Sequence, residues 1–148
     1  MFQDRSTYFP LRLKFSFFLS VILILFGCKT TKFVDSCISE IGFGSGGGVT
    51  GQYIEYTLNS RGELFKYNKS TRKDDLLKNI DLVKTNEIFK KVDNDNLMNY
   101  KFNFPGNMNR YIEIRTKGGT NKITWSISDK SLLESIKSIY EELNFFLK

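Results

Sequence analysis

The chain has 148 residues, 22 of them basic and 16 acidic, for a net charge of +6, and it contains no histidine. Without histidine there is no Ser-His-Asp or Cys-His nucleophile pair, the commonest general base is missing, and most zinc sites are excluded. The length suits one small domain with a single core, and the mild, interspersed charge argues against nucleic acid as a partner.

The first 27 residues differ from the rest. Arg5, Arg12 and Lys14 form a basic start, and an apolar and small-residue run follows from Phe15 to Gly27. The 14 residues between Lys14 and Lys29 would span about 21 Å as a helix, against about 30 Å of hydrocarbon. The layout is that of a secretory signal peptide over 1–27 rather than a permanent membrane span. The run closes on Leu25-Phe26-Gly27-Cys28, which resembles the lipobox of bacterial lipoproteins. That resemblance implies diacylglyceryl transfer to the Cys28 thiol, cleavage just before it and acylation of the new amino group. Several acyl chains meet the need for more than one in stable anchoring. The n-region departs from the pattern in being long and in holding Asp4 and Pro10. Lys29-Thr30-Thr31-Lys32 has neither the aspartate of inner-membrane retention nor an acidic surface-export cluster. The resemblance therefore implies the outer membrane, facing the periplasm.

Residues 28–35 read as a lipidated tether and 36–148 as one domain. Taking Arg5, Arg12, Lys14 and Asp4 of the leader away leaves 19 basic and 15 acidic residues, a net of +4. With Cys28 lipidated, Cys37 is the remaining thiol, so no intrachain disulfide can form. Cys37 is expected to be a small buried hydrophobe, in period two with Ile41 and Phe43 on a first strand.

A glycine-dense stretch, Gly42 to Gly51, reads as a flexible connection leading into a second strand. There Ile54, Tyr56 and Leu58 alternate with Tyr53, Glu55 and Thr57. Asn59-Ser60-Arg61-Gly62 is a turn, and Glu63 to Tyr67 is the returning strand. Residues 68–75 read as polar loop, and 76–83 are ambiguous: Leu77, Ile80 and Val83 fit a helix, and another strand is the alternative. Thr85 is the expected N-cap of a short helix with an Ile88, Phe89, Val92 stripe, ended by Asp93-Asn94-Asp95-Asn96. A loop with Tyr100, Phe102 and Phe104 follows, those rings being expected to pack under the sheet. Tyr111 to Thr116 and a return through Ile123, Trp125 and Ile127 form a hairpin about Lys117-Gly118-Gly119-Thr120. Ser131 and Glu134 make a capping box for a last helix with Leu132, Leu133, Ile136, Ile139, Tyr140, Leu143 and Phe146 along one stripe. The expected fold class is α+β: an antiparallel sheet of hairpins, covered on one face by a short helix and a C-terminal helix.

The glycines match the dinucleotide fingerprint Gly-x-Gly-x-x-Gly twice, but such a turn must lead into a helix within a βαβ unit. Here it leads into a strand, and no phosphate loop exists elsewhere, so no cofactor is expected. The carboxylate pairs Asp74/Asp75 and Glu141/Glu142 are sequence neighbours. Helix neighbours do not share a face, so Glu141/Glu142 is poor acid–base machinery. Asp93 and Asp95 lack the glycine and closing glutamate of a calcium loop. No metal site and no catalytic residue is assigned. Gly44, Gly46, Gly47, Gly48 and Gly51 are left as a candidate partner-binding loop that presents backbone groups.

From Gly46 to Leu147 the order of signals is similar to a group of Bacteroidetes lipoproteins: Gly-Gly-Gly-x-x-Gly, Tyr-Thr-Leu-Asn-Ser-x-Gly, a short helix, Tyr-x-Glu-Ile, Lys-Ile-Thr-Trp and a closing helix. More distantly the layout resembles emfourin, a small α+β inhibitor of thermolysin-type metalloproteases, which also has an early glycine-containing loop and a final helix. No inhibitory residue carries over, and emfourin is not a lipoprotein. The resemblance implies a module that binds a protein, with protease inhibition as one form of that binding. The alternatives are a structural envelope lipoprotein without a dedicated ligand and, last, an enzyme.

Overall fold

The computed structural model describes residues 37–49, 51–129 and 131–148. The leader, Cys28 and the tether lie outside the described residues. Among the described residues, seven strands and two helices follow one another as β1 (Ile38–Gly47), β2 (Gln52–Asn59), β3 (Glu63–Asn68), β4 (Lys73–Asn79), α1 (Leu82–Asn94), β5 (Asn103–Phe104), β6 (Met108–Thr116), β7 (Gly119–Ser126) and α2 (Glu134–Phe145). They form one sheet in the order β4-β3-β2-β1-β6-β7-β5. Every pairing is antiparallel except the short β5–β7 contact. The class is α+β, with β1 at the centre.

Alternation puts the core on one side of that sheet. Ile41 and Phe43 of β1, Leu58, Leu64, Ile112, Ile114, Ile123 and Trp125 join Ile88, Phe89 and Val92 of α1 and Ile136, Ile139 and Leu143 of α2 in a single buried cluster. Each such side chain contributes roughly 1.5–3 kcal/mol on burial. Tyr140 fixes α2 in place. Its hydroxyl donates to the Gly44 carbonyl at 3.2 Å, and its ring meets Trp125 edge-on at 5.2 Å.

Local chemistry sets the turns. Asn59 Oδ1 accepts from the Arg61 and Glu63 amides, at 3.0 Å each, while Gly62 takes φ +83°, which only glycine adopts freely. The segment after β3 is not the expected loop: β4 starts at Lys73, pairing with Asn68, and the ambiguous residues divide between β4 and α1. Asp81, not Thr85, caps α1, accepting from Val83 N at 2.9 Å and Lys84 N at 3.3 Å. Thr85 is buried inside the first turn, its hydroxyl donating to Asp81 O at 2.9 Å. The expected capping box of α2 does not form either. Ser131 donates through its amide and its hydroxyl to Asp129 Oδ1, and the helix starts at Glu134 without a side-chain cap. Leu133 and Ile127 are exposed rather than part of the buried stripes.

The open loop from 97 to 102 is held by buried Asn121. Its amide donates to Leu97 O at 2.7 Å and Tyr100 O at 2.8 Å. Tyr100 and Phe102 pack against the core as expected, but Phe104 projects into solvent. Among the described residues no helix is long and apolar enough to cross a membrane.

Candidate functional site

The glycine stretch is mostly strand. Gly42, Gly44 and Gly46 belong to β1 and pair with both β2 and β6, so Gly44 and Gly46 are covered positions in the sheet and not loop. They alternate with Ile41, Phe43 and Ser45 and occupy the face away from the helices. The tyrosines of the neighbouring strands lie over them. A Cβ on Gly44 would run into the Ile54 carbonyl oxygen and sit 3.0 Å from Tyr111 Cε1. One on Gly46 would run into the Gln52 carbonyl oxygen and sit 2.8 Å from Tyr53 Cγ. The glycines make room for rings stretched flat across the sheet.

Tyr111 is buried in this arrangement, with Lys122 Nζ 4.0 Å from its ring centre. Burial, then the Glu55 and Glu113 carboxylates, push its phenol well above the ordinary range, so it stays protonated. Asn109 donates to the Tyr53 hydroxyl at 3.3 Å and accepts from Gly106 N at 2.6 Å. Beside them Arg115 bridges Glu40 and Glu113, a half-exposed network of the kind worth little individually.

The true connection is Gly47 to Gly51. Gly47, Gly48 and Gly51 take φ of +116°, +69° and +58°. Gly48 donates to Asn107 O at 2.6 Å, and Gly51 to Gly48 O at 3.2 Å. The result is a pinned turn with Val49 fully exposed at its tip. It leads into β2, a strand, which disposes of the dinucleotide-loop reading.

Around this turn the sheet is left uncovered. The turn, the start of β2, the start of β6 and the end of β7 meet at one end of the strands. Gly47 pairs with Met108, Ser45 with Ile54 and with Arg110, and Ile127 N donates to Met108 O. Ile54, Met108 and Ile127 are 53%, 43% and 46% exposed, and Phe145 from the end of α2 is 63% exposed. With Val49 they place five large apolar side chains at one end of the domain. A cleft of about 430 Å³ opens there between Ser45, Arg110, Ile127, Tyr140 and Phe145. Arg110 stacks its guanidinium on the Tyr140 ring at 5.3 Å, and Lys148 sits 5.8 Å from the Phe145 ring centre. Exposed apolar side chains and charged groups thus share this end of the sheet.

The other candidate positions do not converge. Cys37 is exposed just before β1, not buried within it, because the strand starts one residue later. Asp75 is held by Asn68 at 2.8 Å, and Glu142 pairs with Lys91 at 2.6 Å. Asp93 and Asp95 end α1. Among the described residues no group of three or more His, Cys, Asp or Glu is placed to hold a metal ion. Nothing in the order of residues announced that Ile54, Met108, Ile127 and Phe145 would meet. Their one signal is that Ile54 and Ile127 extend the apolar alternation of β2 and β7 beyond the reach of the helices. Compared with known proteins, the chain matches no family model and no curated protein.

Proposed function

We propose that this chain is an envelope lipoprotein, cut before Cys28 and held to the outer membrane by lipid on that cysteine, whose domain binds a protein partner through the end that carries the Gly47–Gly51 turn. The observation that carries the reading is the gathering of Val49, Ile54, Met108, Ile127 and Phe145 at that end, rimmed by Arg110 and Lys148. The ten residues of β1 carry the chain about 30 Å from Ile38 to the turn, so the apolar end lies at the far end of that strand from where it begins. A thermolysin-type metalloprotease is the partner class that the emfourin-like layout implies.

Two experiments test this. Metabolic labelling with a fatty-acid analogue should mark the parent and not Cys28→Ser, and equal labelling of both would end the lipoprotein reading. For recognition, the full-length protein is captured from its native envelope beside a Met108→Asp, Ile127→Asp variant. A partner held stoichiometrically by the parent and lost by the variant supports the reading. No partner for either leaves a structural lipoprotein. Replacing Gly47 and Gly48 with alanine is a poorer probe, because their positive φ strains any side chain and stability would change whatever they touch.

A further inference from the structure

The same end of the sheet contains a fork. β1 and β2 remain paired down to Gly47 and Gln52, whereas β2 and β3 pair only from Leu58–Leu64 to Tyr56–Lys66. β3 stays with β4 to Asn68–Lys73. Beyond Tyr56 the two inner strands diverge, and a cleft of about 380 Å³ opens between Gln52, Tyr53 and Ile54 on one side and Lys66, Tyr67 and Lys69 on the other. Over this stretch β2 has a strand on its β1 side alone and β3 has one on its β4 side alone. Two strand edges therefore face each other without a strand between them.

We infer that this fork takes an extended peptide segment of the protein partner, laid between β2 and β3 with its main chain along their facing edges; this rests on the binding reading above. Edge strands are ready templates for another chain, and an added strand draws affinity from main-chain hydrogen bonds and selectivity from the side chains around it. The walls are already fixed. Asn68 holds Asp75 at 2.8 Å and accepts from Ser70 N at 3.0 Å, and Tyr53 is tied to Asn109. Neither Lys66 nor Lys69 forms an ion pair among the described residues, while the carboxylate of the cleft, Asp75, already accepts a hydrogen bond. The open charge is positive, which favours an acidic side chain in the peptide. The tyrosines offer ring faces to its neighbours. The outer edge of β4, by contrast, carries Lys73, Asp74 and Lys78, charges that discourage pairing there.

The test uses the full-length protein in detergent micelles and a phage-displayed library of random dodecapeptides. Selected peptides are remade with 13C-labelled carbonyls. Their affinities are measured for the parent, for Lys66→Glu with Lys69→Glu, for Tyr67→Ala, and for Lys90→Ala on the exposed side of α1. All four positions are at the surface, so folding is checked by melting and not presumed lost. The inference expects acidic peptides, bound at least tenfold more weakly by the lysine and Tyr67 variants and unchanged by Lys90→Ala. It also expects an isotope-shifted amide I band of strand type on binding. It is overturned if no peptide is selected or if the fork variants bind as the parent does. A native partner captured equally by parent and fork variants would overturn the fork while leaving the binding reading standing.

Discussion

Replacing Gly44 with alanine should destabilise the domain because β1 has no room for a methyl group there. The new Cβ would press on the Ile54 carbonyl in one neighbouring strand and lie 3.0 Å from the Tyr111 ring in the other. Ile54 O is backbone, and Tyr111 is buried, so neither can move aside cheaply. Overpacking of this kind costs about 1–3 kcal/mol, and the loss of glycine's freedom in the unfolded chain returns about 0.4–1 kcal/mol. The net is about 1–2 kcal/mol, which for a domain of this size lowers the melting temperature by about 4–8 °C. Gly42 is the internal control. Its Cβ would meet nothing closer than Glu113 Cβ at 3.4 Å, an ordinary contact, so Gly42→Ala should match or slightly exceed the parent. The sole tryptophan, Trp125, is buried, and its fluorescence reports the melt. If Gly44→Ala melts with the parent, or Gly42→Ala is equally damaging, the rings do not lie over β1 as described.

Three further outcomes follow from the packing. Asn121→Ala removes two donors to the Leu97 and Tyr100 carbonyls and should cost about 1–3 kcal/mol, read as a lower urea midpoint; a midpoint unchanged from the parent would contradict its role. A chain ending at Lys130 lacks α2 and uncovers Ile112, Ile114, Ile123 and Trp125, so it should lose cooperative melting, and a sharp transition would show that α2 is not the lid. Hydrogen bonds from Asn59 and then Arg61 hold Glu63 below the usual carboxylate range, and those from Ser131 do the same for Asp129. Groups with lowered folded pKa contribute stability above their unfolded pKa and lose it as pH falls through the folded one. Stability should therefore drop on acidification below about pH 4, less steeply in Asn59→Ala and Ser131→Ala; parallel acid limbs for all three proteins would refute the assignment.

Much of the fold was legible because burial is periodic. Ile88, Phe89 and Val92, the Ile136 to Leu143 stripe, and the Ile112, Ile114, Ile123, Trp125 set all repeat with the spacing of the elements they belong to. The core they were expected to share is the one observed. β4 was not legible, since Lys73 to Asn79 is an edge strand with almost no buried side chain and so carries no alternation. Thr85 looked like a cap because threonine serves as one, but Asp81 lies four residues earlier and supplies a carboxylate at the geometry the helix start needs.

The glycines misled most. Six in ten residues resemble a flexible loop, yet Gly42, Gly44 and Gly46 repeat in period two with Ile41, Phe43 and Ser45, a strand signal with small residues on one face. The reason for the small residues, Tyr53 and Tyr111, lies on other strands and cannot be seen locally. The candidate surface is also tertiary. Met108 and Phe145 are 37 positions apart in the chain and share an end of the molecule only through the register of β1 with β6 and the length of α2.

Recognition at that end is tested most directly in the cell envelope. A photo-reactive amino acid is placed at Val49, exposed on the tip of the turn, and in a second strain at Lys90, exposed on α1. Irradiation should give one discrete protein adduct from the Val49 strain, lost when Met108→Asp is added, and none from the Lys90 strain. No adduct from Val49, or the same adducts from both positions, would contradict a partner bound at the turn end of the domain.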